Sequence, residues 1–267
     1  MSNSMGNMIG TINRAVKRTD EVCPIHGTSL VYIQGVKKVK PFCMRCTIEQ
    51  RDAQDKRMHE EYKVSRFRGY LKGQSLVDRA DTFGYTFATF KSNTGTSEHY
   101  AKQAARQVAG TYLKQPDKKF NCLFYGNAGA GKTHLAMSIL NAVNDNAEPM
   151  QRCLFLSVNK LIREMKNWFG DKTQVWSPKH VAELVHKADL VVLDDLGAES
   201  ANSQATSFVQ DTIFDIYESN QRIITTTNLS MDDLYKTYHS RLVSRMQEGG
   251  AGHVIDFSKI RDKRRGL

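Results

Sequence analysis

The sequence predicts an α/β protein built on a parallel β-sheet of five strands, preceded by a small separate module. Beyond about residue 95, short apolar runs alternate with longer stretches of helical periodicity, as in folds that place helices on both faces of a parallel sheet. The run Leu190–Leu193 is apolar throughout, which is typical of a strand buried on both faces.

The predicted elements follow one another in regular order. The strands are expected at 120–125, 153–158, 190–195, 222–227 and 253–257. The helices are expected at 97–113, 132–145, 159–169, 178–187, 203–220 and 231–246. In such a sheet the carboxyl ends of the strands share one edge, where ligands of α/β proteins bind.

A glycine-rich loop joins the first of these strands to the helix after it. It reads Gly126-Asn127-Ala128-Gly129-Ala130-Gly131-Lys132-Thr133, the pattern G-x-x-x-x-G-K-[ST]. In this context the pattern predicts a loop whose backbone N–H groups wrap a polyphosphate at a helix N-terminus. We assign 126–134, His134 included, to ATP binding; Lys132 would reach the β- and γ-phosphates and Thr133 would bind Mg²⁺. A plain glycine turn is the alternative, but it leaves the Lys-Thr pair unexplained.

The strand at 190–195 ends in two carboxylates. Asp194 would lie beside the glycine loop and hold Mg²⁺ through water. Asp195 would polarise the water that attacks ATP. Asp is one methylene shorter than the Glu that many ATPases carry at this position, so we expect slow hydrolysis. The alternative for the two aspartates is a solvated strand end or a helix cap.

Polar residues also follow the strand at 222–227. Asn228 could bond to the γ-phosphate or position the water, while a turn-forming Asn is the alternative. The next predicted helix carries Arg241 and Arg245, which are i,i+4 neighbours on one face. Paired guanidinium groups suggest an arginine that completes the site of a neighbouring subunit; two solvated surface arginines are the alternative.

The composition adds a polyanionic partner. The 267 residues include 38 Lys+Arg and 28 Asp+Glu, a formal charge of +10, which favours nucleic acid or an acidic protein. No apolar run of transmembrane length occurs, and residues 1–10 lack the apolar core of a signal peptide. Five cysteines in this context favour reduced thiols or metal ligands. We expect a cytoplasmic protein without a membrane partner.

Two knuckles of the C-x-x-[CH] type mark the N-terminal module. They are Cys23 to His26 and Cys43 to Cys46, and the residues between them predict a β-hairpin of Leu30–Ile33 with 36–40. The spacing predicts a zinc-ribbon-like module in which these two cysteine–histidine and cysteine–cysteine pairs bind a structural Zn²⁺. Unrelated surface cysteines with a lone histidine are the alternative. The proposed zinc ligands are Cys23, His26, Cys43 and Cys46, while Cys122 and Cys153 are expected to be packing residues.

Charge of both signs dominates residues 47–75. This stretch lacks proline, which predicts an exposed helix that fades into a linker near Gly69 and Gly73. We therefore divide the chain into a zinc-binding module at 1–50, a charged helical linker at 51–80 and an ATPase domain at 81–267.

Taken in order, the motifs resemble those of the AAA+ ATPases of bacterial and phage replicative helicase loaders, the DnaC/DnaI type. The resemblance covers about 190 residues and is carried by 87–90, 126–136, 193–199, 226–229 and 241–246. It implies an AAA+ P-loop ATPase with Asn228 as sensor 1, Arg245 as the arginine finger and Arg261 as the sensor-2 arginine. Because the sequence stops soon after the last predicted strand, a helical lid domain is expected to be absent or minimal.

The resemblance also implies partners. In these loaders a small N-terminal domain, zinc-bound in some members, grips the ring-shaped helicase, so module 1–50 is expected to bind a hexameric DnaB-type helicase; DNA binding by its lysines stays open. Self-association is expected through the ATPase domain. An extra helix after the second strand of the ATPase sheet lines the single-stranded DNA groove in the loader and initiator clade. Here it supplies Lys160, Arg163 and Lys166 for phosphates and Trp168 and Phe169 for stacking, unless the aromatics are core residues.

The resemblance implies an ATP-dependent loader that delivers the replicative helicase onto single-stranded DNA during replication initiation, with slow, DNA-stimulated hydrolysis and with ATP, Mg²⁺ and Zn²⁺ as cofactors. One alternative is a transposition helper ATPase of the IstB type, which shares the ATPase motifs. Another is a zinc adaptor whose ATPase domain only senses ATP. An initiator of the DnaA type is disfavoured because no helix-turn-helix pattern follows the last strand.

Overall fold

The computed structural model describes residues 15–36, 38–200, 204–249 and 253–262. The expectation about a signal sequence at 1–10 lies outside these residues. The chain divides into two compact units, with the boundary between Lys63 and Val64. No helix in the described ranges is long and apolar enough to cross a membrane.

The smaller unit contains an antiparallel hairpin of β1 (Val16–Val22) and β2 (Ser29–Ile33) and the start of helix α1 (Met44–Gln74). The predicted pairing of β2 with 36–40 is not found: β2 pairs with the upstream segment β1, and downstream its Val31 forms an antiparallel bridge with Phe42. The first knuckle supplies the turn: Gly27 N–H donates to the Cys23 carbonyl at 2.9 Å, and Cys23 N–H donates to the Thr28 carbonyl at 2.9 Å. The knuckle therefore closes the hairpin and presents metal ligands at the same time.

Helix α1 continues through Gly69 and Gly73, so the predicted break near these residues is also wrong. Near its end the helix is held by tertiary contacts. Leu71 is buried, and the Tyr70 hydroxyl donates to the Leu184 carbonyl at 2.8 Å. These contacts outweigh the cost of about 1 kcal/mol that each glycine adds to a helix interior.

The larger unit is built on a five-stranded parallel sheet, as predicted, and the structure places its strands in the order β4-β5-β6-β3-β7. The strands are β3 (Cys122–Tyr125), β4 (Cys153–Ser157), β5 (Leu190–Leu196), β6 (Ile223–Thr227) and β7 (Val254–Asp256). The helices are α2 (Ser97–Lys114), α3 (Lys132–Asn146), α4 (Val158–Gly170), α5 (Pro178–Lys187), α6 (Ser207–Ser219), α7 (Met231–Thr237) and α8 (Ser240–Met246).

Both faces of this sheet are covered. Cys122 and Phe124 of β3 pack in one apolar layer with α2 and α3, while Leu123 between them packs in the other layer with helices that include α4, α5 and α6. Residues of β5 alternate between the same two layers. Burial on both faces explains the continuous apolar runs of β3, β4 and β5.

The helix predicted at 231–246 is in fact two short helices, α7 and α8. The backbone of Tyr238 is extended, with φ −122° and ψ 153°. Its buried side chain donates a hydrogen bond to Glu199, and the His239 N–H donates to Gln210 Oε1 at 3.0 Å. Tertiary hydrogen bonds therefore interrupt a stretch whose local periodicity is helical throughout.

Candidate nucleotide and metal sites

The glycine loop lies between the end of β3 at Tyr125 and the start of α3 at Lys132. Gly126 has φ 119°, and a Cβ there would lie 2.5 Å from the backbone nitrogen of Ser258. Only glycine allows this conformation and this close approach. The Asn127 side chain donates to the carbonyls of Ser258 and Ile260, at 2.7 and 3.0 Å, so the segment after β7 holds the loop in place.

Lys132 is 6% exposed, and its ammonium connects the loop to the end of β6. Its Nζ donates to the carbonyls of Gly126 and Asn127, at 2.7 and 2.6 Å, and to Asn228 Oδ1 at 2.8 Å. The structure thus brings the predicted lysine and the predicted asparagine into direct contact.

Asp194 is buried at the end of β5 beside Thr133. Its Oδ2 accepts a hydrogen bond from Thr133 Oγ1 at 3.2 Å, and its Oδ1 accepts one from Thr226 Oγ1 at 2.7 Å. Burial raises the pKa of this carboxyl to about 6. A carboxylate beside a hydroxyl offers the hard oxygen ligands that Mg²⁺ prefers.

Asp195 has φ 57° and is the only non-glycine residue with positive φ in the described part of the chain. It lies where the pairing of β5 with β6 shifts register between Leu193 and Leu196. Its N–H donates to Thr226 Oγ1 at 2.9 Å, and its Oδ1 accepts from Asn228 Nδ2 at 2.6 Å. Backbone strain of this kind is concentrated at functional sites, where contacts with the surrounding residues hold the strained conformation in place.

These groups line a cleft of about 620 Å³ that also contains residues to which the sequence motifs assigned no individual role. The Thr226 hydroxyl forms hydrogen bonds with both aspartates. This role could be predicted only once the order of the strands is known. Tyr85 stacks on the His134 ring with centroids 4.5 Å apart, and Thr89 Oγ1 lies 3.0 Å from His134 Nε2. The further lining residues ahead of α2 are Asp78, Arg79, Thr82, Phe90 and Lys91.

The two arginines of α8 line a different depression. Arg245 forms ion pairs with Glu218 at 2.8 Å and Glu248 at 2.7 Å, and the Arg241 guanidinium lies 4.8 Å from the Phe214 ring centre. Neither arginine lines the cleft that holds Lys132. Arg261 is exposed in the segment that contacts the glycine loop.

Helix α4 places the predicted DNA-binding residues in different surroundings. Lys160 Nζ donates to the Val77 carbonyl at 2.9 Å, whereas Arg163 and Lys166 are exposed. Phe169 is 51% exposed and packs edge-to-face against Trp168 and Phe208. Of the five predicted contacts, three are exposed and Trp168 is half-buried, while the Lys160 ammonium is directed to the backbone.

In the smaller unit the four predicted metal ligands converge. One ligand atom from each of Cys23, His26, Cys43 and Cys46 lies within 4.8 Å of all the others. The sulfurs of Cys23 and Cys46 are 3.6 Å apart, and His26 Nδ1 lies 3.3 to 3.8 Å from the three sulfurs. Tetrahedral Zn²⁺ with Zn–S bonds near 2.3 Å requires sulfurs about 3.8 Å apart.

The surroundings of Cys43 favour its thiolate, which is the form of cysteine that binds metal ions. The Thr28 hydroxyl lies 3.5 Å from Cys43 Sγ, and this hydrogen bond lowers the pKa of the thiol to about 6. Soft thiolates and an imidazole at these distances fit Zn²⁺ better than the hard cations that prefer oxygen.

Known proteins resemble the larger unit. The chromosomal replication initiator DnaA of Geotalea uraniireducens is 29% identical over 166 residues, which cover 62% of this chain and 34% of that protein. The chain thus spans about a third of the length of such curated relatives.

Solved structures share the fold. A crystal structure of the DnaC helicase loader has a TM-score of 0.53 at 20% identity and covers 68% of this chain and 100% of that chain. A crystal structure of DnaI has a TM-score of 0.53 at 21% identity, over 68% and 95% of the two chains. The predicted AAA+ fold is thereby confirmed. Residues 82–252, well over half of the chain, match the family described as the bacterial DnaA ATPase domain, and the chain belongs to that family.

Proposed function

We propose that this protein is an ATP-hydrolysing loader that binds the replicative DNA helicase and delivers it onto single-stranded DNA. The observation that carries the ATPase part is the constellation of Lys132, Thr133, Asp194, Asp195 and Asn228 at one edge of the sheet. A phosphate-binding lysine, a metal-binding pair, a base and an amide that orients it are the parts that phosphoryl transfer to water requires.

Each residue has a role that follows from its position. Lys132 binds the β- and γ-phosphates, since phosphate oxygens compete for the ammonium that now contacts the loop carbonyls and Asn228. Thr133 and Asp194 hold Mg²⁺, which neutralises charge on the phosphates. Asp195, oriented by Asn228, takes a proton from water as the water oxygen bonds to the γ-phosphorus and the bond from that phosphorus to the β–γ bridging oxygen breaks.

Arg245 completes the site of a neighbouring copy in this proposal. Its ion pairs with Glu218 and Glu248 hold it away from its own cleft and keep the guanidinium at the surface. An arginine that stabilises the transition state in trans is worth about 10³–10⁵ in kcat. The exposed Arg163, Lys166 and Phe169 of α4 supply cationic and stacking contacts for single-stranded DNA.

The smaller unit holds a structural Zn²⁺ through Cys23, His26, Cys43 and Cys46, and it grips the helicase. All four positions are protein ligands, which suits a structural rather than a catalytic site. A metal-stabilised module ahead of an ATPase domain whose fold matches DnaC and DnaI over nearly their whole chains supports the loader function. The net charge of +10 supports a nucleic-acid or acidic protein partner.

Light scattering on a sizing column tests the loader function. The full chain is mixed with the replicative helicase hexamer, with and without ATP, beside the variants K132A and C43S and the surface control K114A. We expect a stable complex for the wild type and K114A and no complex for C43S; with labelled single-stranded DNA added to the mixture, K132A is expected to leave the DNA outside the complex. No complex in any nucleotide state would contradict helicase binding and direct the next test to a transposase, the partner of an IstB-type helper.

Mixing two inactive variants tests the role of Arg245. K132A lacks a working nucleotide site but keeps its arginine, while R245A keeps its site and lacks the arginine. If Arg245 acts in trans, the mixture recovers ATPase activity that neither variant has alone. An inactive mixture, with both variants folded, would place the arginine's role within its own subunit.

A further inference from the structure

The ring of His26 has a polar partner at each nitrogen. Nδ1 lies 3.3 Å from Cys46 Sγ, 3.6 Å from Cys43 Sγ and 3.8 Å from Cys23 Sγ. Nε2 lies 3.0 Å from Glu49 Oε1. A metal-binding imidazole uses one nitrogen as the ligand and donates the N–H of the other to an acceptor, which fixes both the tautomer and the ring orientation.

Glu49 reaches His26 because of its place on α1. Cys43 directly precedes this helix and Cys46 lies in its first turn, and Glu49 follows Cys46 by three residues, which is about one helical turn. The sequence pattern of the two knuckles did not point to this residue. The i+3 spacing from Cys46 is the signal that could have identified it.

The first half of α1 has little else to hold it within the smaller unit. Every residue from 47 to 63 is exposed, so this stretch has no buried apolar face. A helix that is polar all round is stable only with other support, because forming its first turn is unfavourable. The metal ligands and the His26–Glu49 hydrogen bond supply such support at the point where the helix begins.

We propose that Glu49 is a positioning residue for the metal site: it holds His26 with Nδ1 as the metal-binding atom and ties the first turns of α1 to the metal. The inference rests on the zinc site proposed above. Without a metal, an ion pair whose carboxylate is 65% exposed contributes little to stability, so it would not order a helix. Joined to a metal-bound ring, the same contact sets the geometry of a ligand.

Zinc competition with a chromophoric chelator tests this role in the full chain. E49A removes the acceptor, whereas E49Q keeps an amide oxygen in its place. D52A is the matched control, since Asp52 is also exposed on α1 and pairs with Arg51 rather than with a ligand. We expect E49A to weaken zinc binding by about 10–100-fold, E49Q to recover most of the loss and D52A to bind like the wild type.

Two further readouts separate positioning from a general loss of stability. With zinc saturating, amide exchange at 47–54 is expected to accelerate in E49A and to stay unchanged in D52A. In the wild type, NMR of the His26 ring is expected to show a metal-bound Nδ1 and a protonated Nε2.

The outcomes are distinguishable. A wild-type chain that binds no zinc overturns the proposed metal site itself. A wild type that binds zinc while E49A binds it equally well, or whose His26 uses Nε2 as the ligand atom, overturns the role of Glu49 alone.

Discussion

Different interactions stabilise the fold of each of the two units. The ATPase unit buries apolar side chains in two layers on either side of a parallel sheet. Among the described residues of the smaller unit, Cys23, Val31 and Cys43 are the only buried apolar ones, and two of these are proposed metal ligands. One unit is stabilised by buried area, whereas the other has little buried area and would depend on bonds to the proposed metal ion.

Because of this difference, side-chain substitutions and metal removal are expected to affect the two units differently. A unit with a large core loses stability in small steps as individual side chains change. A unit with almost no core folds or unfolds with its metal, because the free energy of metal binding is also its free energy of folding. The chain offers a convenient probe, since both tryptophans, Trp168 and Trp176, lie in the ATPase unit.

Removing the metal should break the smaller unit and leave the larger one intact. Chelation, or C43S, is expected to abolish amide-exchange protection in β1, β2 and the start of α1, because structural zinc supplies about 10 kcal/mol or more in small domains. The unfolding of the ATPase unit, followed by tryptophan fluorescence, should shift by less than about 0.5 kcal/mol. A large loss of stability in both units would refute their independence.

The two units also differed in how far the sequence predicted them. All five strands of the ATPase sheet were predicted within two residues of their ends. Four of them are buried over most of their length, so their residue pattern is a local signal. The hairpin predicted for the smaller unit differs from the observed one. The register of the observed hairpin is set by the knuckle turn at Cys23–Gly27 and not by hydrophobic alternation. The convergence of the four proposed metal ligands could be predicted from their spacing, whereas the strand pairing around them could not.

Within the candidate site the same distinction holds. Lys132 belongs to the glycine loop after one predicted strand, and Asp194 and Asn228 lie at the ends of two others, so their meeting at one sheet edge could be predicted. Thr226 and Tyr85 could not, because their roles depend on the order of strands and on the path of the chain ahead of α2. The break at Tyr238 had no local signal either, since hydrogen bonds to distant residues cause it.

The substitution D195N tests the chemistry of the ATPase unit without changing a residue of the smaller unit. Asparagine keeps the oxygen that accepts from Asn228 and tolerates the left-handed backbone at this position, but it cannot take a proton. ATP hydrolysis should fall by about 10²–10⁴-fold, while zinc content and ATP affinity stay unchanged. The check is steady-state ATPase activity beside nucleotide binding. An active D195N enzyme would assign the base to another residue.

D194N should make the ATPase unit more stable and inactive. Burial raises the folded-state pKa of Asp194 to about 6, above its usual value of 3.8, so folding favours the protonated carboxyl. That stabilisation is complete below about pH 4 and is lost as the pH rises through 6. At pH 8 the ionised carboxylate therefore costs on the order of 3 kcal/mol, which the neutral amide avoids.

Urea unfolding followed by tryptophan fluorescence, without nucleotide or Mg²⁺, checks this sign. D194N is expected to exceed the wild type by about 2–3 kcal/mol at pH 8 and by nearly nothing at pH 4. The control D52N alters an exposed carboxylate in the other unit and should change the ATPase unit's stability by less than about 0.5 kcal/mol at both pH values. A D194N variant less stable than the wild type at pH 8 would mean that the hydrogen bonds of Asp194 outweigh its desolvation.

The smallest effect is expected for E218Q, which tests whether Arg245 belongs to the fold of its own unit or is held ready for another copy. The side chains of Arg245 and Glu218 are 33% and 46% exposed, and Glu248 remains as a second partner of the arginine. The free energy of unfolding is therefore expected to fall by at most about 1 kcal/mol. ATPase activity should be retained, because the arginine must leave Glu218 to reach a neighbour's phosphate. A loss of more than about 2 kcal/mol would show that the ion pair is structural, and the low cost of releasing the arginine, on which its action in trans depends, would no longer hold.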